Sequence, residues 1–334
     1  MMLSEQEKSL LETLVYATEI DPTTPSYPVS RTYHLDLPHF TNVWLKDEST
    51  NRTGTHKDRM AWEIVMVYLD ILQSKERGLI STPLPEMSII SAGSAAIAIQ
   101  SKLRTFGLPP LRLLADKSTD STTLDYLRNL GCKIYLENLA ERELTPRDIL
   151  QLTENKEGFD ITSNQGFDPD KRFYDWLSYE VLDHNPQYVF TPVGSGQLFQ
   201  NVLNIAKRIV TNDNIDPVYS GNPEVIAECH FIGATTNNSA SKAVKLYAPF
   251  KPFTDLAEDW LRLFSQRGYC GTKSAIHEVT EEYLEYAYSL FQERKIPAEH
   301  SAVAGMAMLY QMKEEIPQDG KIVVISTGKT KFSL

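Results

Sequence analysis

One lysine stands at a position that favours covalent chemistry. Lys57 follows a short apolar run at residues 43–45 and a polar loop at 48–55, and a helical spacing of apolar residues starts at Met60. The first turn of a helix gathers N–H groups and the positive end of the helix dipole, and both disfavour an ammonium. A neutral lysine can attack a carbonyl carbon and form a Schiff base. The position predicts a nucleophilic lysine, and the alternative is a solvated charge at a helix start.

Three further loops carry residues that suit ligand binding. Each follows a short apolar run, and their sequences are Ser91-Ala92-Gly93-Ser94-Ala95, Gly194-Ser195-Gly196-Gln197-Leu198 and Ser326-Thr327-Gly328-Lys329-Thr330. Glycines beside helix-start N–H groups let a phosphate approach the backbone, so the second loop is a candidate phosphate site. An ordinary tight turn there, and a serine-capped helix at the first loop, remain the alternatives.

The elements that must position these loops alternate between strands and helices. Strands are predicted at residues 87–90, 111–115, 133–136, 188–190, 227–233 and 321–325, and helices at 121–130, 146–153, 239–247 and 280–294. A short helix and then a loop at 21–38 are predicted before them. Strands that alternate with helices over short connections predict an α/β fold with parallel sheets covered by helices. Ligands bind beyond the carboxyl ends of such strands, where all four loops fall.

The sequence L-K-D-E-x-x-N-x-T-G-T-x-K-D-R, at residues 45–59, resembles the Schiff-base lysine motif of fold-type II enzymes that use pyridoxal 5′-phosphate (PLP). These enzymes form the tryptophan synthase β-like group. The motif is most similar to the threonine synthase branch, and the cysteine synthase branch is close to it. The other three loops resemble further motifs of the same family in the same order, so the resemblance covers about residues 40–330.

The resemblance implies a role for each loop. Lys57 would hold PLP and act as the catalytic base, and His56 would touch the cofactor phosphate. The 91–95 loop would hold the substrate carboxylate, with Ser94 also near the cofactor. The 194–198 loop would hold the cofactor phosphate, and Thr327, or otherwise Ser326, would bond the pyridine nitrogen. Two positions depart from the family pattern, because Ser94 stands in place of an asparagine and Gln197 in place of a glycine.

The resemblance also implies the architecture. It predicts two subdomains, each with a mainly parallel sheet flanked by helices, and PLP in the cleft between them. Residues 1–84 and 159–334 would form the larger, PLP-binding subdomain, and 85–158 a smaller mobile one. A homodimer is expected.

Composition excludes other classes of function. The net charge of −11 without a basic run argues against nucleic acid as a partner, and no apolar run approaches the 18 residues of a membrane helix. The histidine and cysteine spacings predict no metal site. Phe199 breaks a G-x-G-x-x-G fingerprint and Val323 breaks a P-loop, which disfavours a nucleotide-binding protein. The N-terminal residues lack the pattern of a signal peptide, so a cytoplasmic protein is expected.

The expected function is elimination or replacement at the β or γ carbon of an amino acid, by a PLP-dependent lyase or synthase similar to threonine synthase. Activity like that of cysteine synthase, or of serine and threonine dehydratases, is the first alternative. A non-catalytic binding protein that kept the fold is the second, because Ser94 departs from the family residue.

Overall fold

The computed structural model describes residues 27–79, 81–139, 141, 144–162, 173–213, 215, 221–247 and 254–332. The helix predicted near the N-terminus lies outside these residues. The chain divides into two compact units. Among the described residues, unit 1 holds 30–50 and 174–329, whereas unit 2 holds 27–29, 51–173 and the segment from Thr330 onward. That residues 85–158 form a smaller subdomain that moves stays a prediction.

Unit 1 is built on a six-stranded sheet in the order β1-β2-β10-β7-β8-β9. The strands are β1 Arg31–Leu37, β2 Phe40–Asp47, β7 Tyr188–Pro192, β8 His230–Thr235, β9 Ala275–Glu278 and β10 Ile322–Ser326. All neighbouring pairs are parallel except β1 with β2. The two central strands β7 and β10 are buried at every residue. Continuous apolar, β-branched runs form such strands because helices cover both faces of a parallel sheet.

The helices of unit 1 flank this sheet. They are α5 Asp175–Leu182, α6 Gln197–Thr211, α7 Pro223–Ala227, α8 Thr254–Gln266, α9 Glu281–Glu293 and α10 Ala304–Gln311, with a short 3-10 helix at Glu48–Thr50. α10 is buried from Ala304 to Tyr310 and packs on β7, β8 and β10. Its many small side chains let the helix lie close to the sheet. α6 ends at Asn212, which adopts the left-handed conformation common at helix ends.

Unit 2 contains a four-stranded parallel sheet in the order β5-β4-β3-β6. Its strands are β3 Met87–Ile90, β4 Arg112–Asp116, β5 Lys133–Glu137 and β6 Phe159–Asp160, and its helices are α1 Lys57–Glu76, α2 Ser94–Thr105, α3 Ser121–Leu130 and α4 Pro146–Leu152. α1 packs against α2. Asp120 caps α3 by accepting from Thr123 N at 2.8 Å, and Thr145 with Asp148 forms a capping box on α4.

The two sheets and their flanking helices confirm the predicted α/β fold. The helix predicted at residues 239–247 is wrong, because that segment forms only turns. Some of its backbone N–H groups bond to side chains in place of helix carbonyls: Ala240 N donates to Asn238 Oδ1, and Ala243 N to Ser241 Oγ.

Two other boundaries also differ from the predictions. Residues 31–37 form a strand within the predicted loop, because alternate side chains of β1 pack on the core while its backbone pairs with β2. Ala227 ends α7 and does not begin a strand, since Asn222 and Pro223 start a short helix just before β8. Within the described part of the chain, no helix is both long enough and apolar enough to cross a membrane.

Candidate active site

The loop before Lys57 is fixed by its own side chains. Asp58 is buried, and its Oδ2 accepts from Thr53 N at 3.0 Å and from Thr53 Oγ1 at 2.5 Å. Asn51 Nδ2 donates to Thr55 O at 3.0 Å. Lys57 N donates to Thr55 Oγ1 at 3.3 Å, and Lys57 is the half-buried first residue of α1. The sequence predicted this helix start, and these hydrogen bonds within the loop hold the lysine backbone at one place in unit 2.

The arginine of the K-D-R sequence has a packing role. Arg59 is fully buried, its Nη1 donates to the Tyr27 hydroxyl at 2.6 Å, and its guanidinium lies 5.1 Å from the centre of that ring. Tyr27 also makes an edge contact with Trp62, with ring centres 5.0 Å apart. A buried charge needs such partners, so Arg59 anchors the first turn of α1.

The 91–95 loop opens α2, which begins at Ser94. Ser91 Oγ accepts from Gly93 N at 3.1 Å and from Ala96 N at 3.4 Å, so Ser91 shapes the loop that opens α2. Ser94 Oγ lies 2.8 Å from Thr330 Oγ1, and the two hydroxyls share a hydrogen bond. The first N–H groups of any helix have no partner inside it. The start of α2 can therefore receive a carboxylate while Ser91 keeps the loop in shape.

A buried carboxyl lies at the same end of the unit 2 sheet. Asp160 ends β6 and pairs in register with Ser88 of β3, three residues before Ser91. Its Oδ1 accepts from Thr162 N at 2.9 Å, and Thr162 Oγ1 accepts from Ile90 N at 2.9 Å. Burial raises the pKa of Asp160, and the hydrogen bonds from Thr162 offset only part of that effect. Sequence reasoning did not single out this residue.

The 194–198 loop of unit 1 connects β7 to α6. A side chain at Gly194 would place its Cβ 2.8 Å from the Lys245 carbonyl oxygen, so only glycine fits there. Gly196 has a φ of +87° and precedes the first residue of α6. Gln197 and Leu198 are buried in the first turn, and Ser195 is half-buried. The arrangement turns the backbone into the start of a 15-residue helix, where N–H groups favour an anion.

Two buried hydroxyls lie at the ends of the neighbouring strands β7 and β10. Ser326 ends β10, and Thr191 lies near the end of β7, which pairs with β10. Ser326 Oγ and Thr191 Oγ1 are buried and have no hydrogen-bond partner among the described residues. Thr327 is half-buried just beyond the strand. A buried hydroxyl without a partner is costly, and a bound polar group would relieve that cost.

The predicted site residues thus fall into two sets. Unit 2 holds His56, Lys57 and the 91–95 loop, and unit 1 holds the 194–198 loop, Ser326 and Thr327. Sequence reasoning missed Thr191 and Asp160, which carried no signal. It placed Thr330 in the 326–330 loop but gave that residue no role of its own.

Comparison with solved structures supports the fold. O-ureido-L-serine synthase matches with a TM-score of 0.62 and 17% identity, over 90% of this chain and 89% of that one. O-acetylserine dependent cystathionine beta-synthase from Helicobacter pylori matches with a TM-score of 0.60 and 14% identity, over 100% and 98%. Threonine deaminase isoform 2 from Solanum lycopersicum matches with a TM-score of 0.56 and 16% identity, over 99% and 91%. At such identities these likenesses show the fold alone.

Sequence comparison identifies the family. No curated protein sequence matches this chain. Residues 24–328, most of the chain, match the profile described as pyridoxal-phosphate dependent enzyme. Together with the two sheets and the motif order, this match means that the chain belongs to the fold-type II family of pyridoxal-phosphate dependent enzymes.

Proposed function

We propose that this protein is a lyase or synthase that eliminates or replaces a group at the β or γ carbon of an amino acid, with Lys57 as its catalytic residue. The observation that carries the proposal is the placement of Lys57. It is the first residue of α1, and the hydrogen bonds between Asp58 and Thr53 fix the loop that leads to it. The motif around it supplies the resemblance to threonine synthase.

Features of unit 1 fit the cofactor. The loop at 194–196 leaves no room for a side chain at Gly194, and it leads into the N-terminus of α6. Such a loop suits the phosphate, and His56 of unit 2 is a second candidate for that group. Thr327 and Ser326 are the candidates for the pyridine nitrogen, and the buried hydroxyl of Ser326, which has no hydrogen-bond partner among the described residues, could bond such a nitrogen.

Each set of residues then has a task. PLP, when bound, supplies the electron sink that stabilises negative charge at the substrate α-carbon. Lys57 Nζ would hold the cofactor covalently, and it would also remove and return the α-proton of the substrate. The start of α2, with Ser91 to Ala95, would hold the substrate carboxylate. A neutral hydroxyl beside the pyridine nitrogen would leave that nitrogen unprotonated. The ring would then be a weaker electron sink, which suits elimination and replacement.

The test is to locate the cofactor bond. Borohydride reduction of the PLP-loaded protein, followed by peptide mapping, should place the pyridoxyl group on Lys57. Lys57→Ala should lose the label, whereas the control Lys329→Ala should keep it, because Lys329 is exposed. A label on any other lysine would sink the proposal, and a protein that takes up no PLP would leave only a non-catalytic role.

The substrate is the finer part of the proposal. The 45–59 motif favours a reaction similar to that of threonine synthase, on a phosphorylated amino acid. Names among the matched structures include an O-acetylserine dependent synthase and a threonine deaminase, so replacement and deamination are the alternatives. A panel of serine, threonine, O-acetylserine, phosphoserine and phosphohomoserine, assayed for released ammonia, acetate and phosphate, separates them. Acetate alone would exclude the threonine synthase-like reaction.

Three further expectations belong with this proposal. Residues 85–158 would move as the smaller subdomain against 1–84 and 159–334, which hydrogen exchange with and without substrate can test. The protein would be a homodimer, measurable by light scattering. Fractionation of cells that express it should find it in the cytoplasm.

A further inference from the structure

The C-terminal segment Thr330–Phe332 belongs to unit 2, although the chain reaches it from β10 of unit 1. Lys331 N donates to Thr53 O at 2.9 Å, and Lys331 Nζ donates to Asn51 O at 3.1 Å. The Phe332 ring meets Tyr126 of α3 edge to face, with centres 5.5 Å apart. The segment therefore contacts the loop that leads to Lys57.

The same segment also contacts the start of α2. Thr330 Oγ1 lies 2.8 Å from Ser94 Oγ, and both side chains are half-buried. A serine hydroxyl rotates freely unless a partner selects one orientation, so the bond to Thr330 restricts where Ser94 directs its proton and lone pairs. Thr330 and Lys331 are adjacent, and together they tie Ser94 to the 51–53 loop.

We propose that Thr330 and Lys331 are positioning residues for the predicted site residues of unit 2, and that they fix the Ser94 hydroxyl and the Lys57 loop relative to each other. The inference rests on the proposed function of Lys57 and Ser94. It adds that Thr330 and Lys331 influence cofactor and substrate binding through the Ser94 hydroxyl and the Lys57 loop. Neither residue needs to touch the substrate itself.

Removal of one hydroxyl tests the Ser94 contact. In the PLP-loaded protein, Thr330→Val keeps the side-chain shape and deletes the hydrogen bond. KM for the substrate should rise about fivefold, the scale of one hydrogen bond. The pH at the midpoint of the absorbance change of bound PLP should also shift. Thr330→Ser should restore both. Thr105→Val is the matched control, because Thr105 bonds Ser101 O at 2.9 Å near the far end of α2.

A double variant shows whether the two hydroxyls act together. Ser94→Ala and Thr330→Val remove the same bond, so Ser94→Ala/Thr330→Val should differ little from the more impaired single variant. Independent, multiplicative effects would overturn the inference, and so would a Thr330→Val protein with unchanged KM and absorbance.

The Lys331 contact has its own readout. Lys331→Met should keep the backbone bond to Thr53 O and lose the bond from Nζ to Asn51 O. Amide exchange at residues 51–56 of the PLP-loaded protein should then be about fivefold faster. Lys117→Met, which removes an exposed lysine paired with Glu137 at 3.3 Å, should leave that loop unchanged. Unchanged exchange in Lys331→Met would contradict the proposed role.

The outcomes separate this inference from the function beneath it. If PLP does not label Lys57 in the unaltered protein, the proposed function fails. If PLP labels Lys57 and the Thr330 and Lys331 variants behave as the parent does, only the positioning role fails.

Discussion

The glycine loop of unit 1 gives the sharpest test of where the cofactor phosphate binds. In Gly194→Ala the new Cβ would lie 2.8 Å from Lys245 O, closer than real Cβ atoms approach a backbone oxygen. An ordinary contact needs 3.4 Å, so the loop or the 245–246 backbone must move by about 0.6 Å. A shift of that size takes a hydrogen bond of about 2.9 Å out of its normal range.

The size of the effect follows from the bond that is lost. A hydrogen bond to a charged group contributes about 1.5–3 kcal/mol, which corresponds to a roughly 10- to 150-fold change in affinity. PLP affinity of the reconstituted apoprotein should fall by that factor in Gly194→Ala. Affinity for pyridoxal, which lacks the phosphate, should change little. The preference for PLP over pyridoxal, measured by equilibrium dialysis, is thus the quantity to compare.

Gly268→Ala is the matched control. Gly268 also lies in unit 1 and has a φ of +68°, but no atom lies within 4 Å of its would-be Cβ. Its variant should lose about 1–2 kcal/mol of folding stability from backbone strain and keep the preference for PLP. If Gly194→Ala also keeps the parent's preference while it loses stability, the 194–198 loop does not hold the phosphate.

Two other predictions concern buried charges. Burial raises the pKa of Asp160, so the folded protein favours the protonated carboxyl. The stability that the protonated form contributes is lost as pH rises from the usual aspartate range through the folded pKa. Asp160→Asn should therefore gain stability relative to the parent in urea titrations as pH rises from the usual aspartate range, and a constant difference would refute the assignment. Glu180→Gln should cost about 3–5 kcal/mol, because it leaves the Lys46 ammonium buried without its carboxylate. Lys46→Met/Glu180→Leu should cost much less, and equal losses in thermal melts would contradict a buried pair.

Local sequence predicted most of the elements that build the two sheets. The boundaries of β3 and α3 agree with the prediction to the residue. For α3 the reason is local, because the Asp120 cap stands directly before the helix and the left-handed Gly131 directly after it. Such signals are local, so a single sequence contains them. They also place Lys57 at the start of α1.

Other features depend on contacts that no local pattern contains. The turns at 239–247 have helix-forming composition, but Lys242 N bonds Glu281 Oε2 and Lys245 N bonds Ser301 Oγ. These partners are 39 and 56 residues away along the chain. The Ser94–Thr330 bond spans 236 residues, which explains why the contact of this threonine with Ser94 was not predicted. Tertiary contacts override propensity at such places.

The long motif at residues 45–59 also divides in a way that the sequence does not reveal. Its first half lies in unit 1, where buried Lys46 donates to Glu180 and to Ser30 O at 2.9 Å, and Ser30 Oγ donates to buried Glu48 at 2.5 Å. Its second half lies in unit 2, where Asp58 shapes the turn that carries Lys57. The K-x-E portion is therefore explained by the need to pair buried charges. The part from residue 51 onward shapes the turn that carries Lys57, so the K-x-E portion explains the frame of unit 1 and the T-G-T-x-K portion the placement of the lysine.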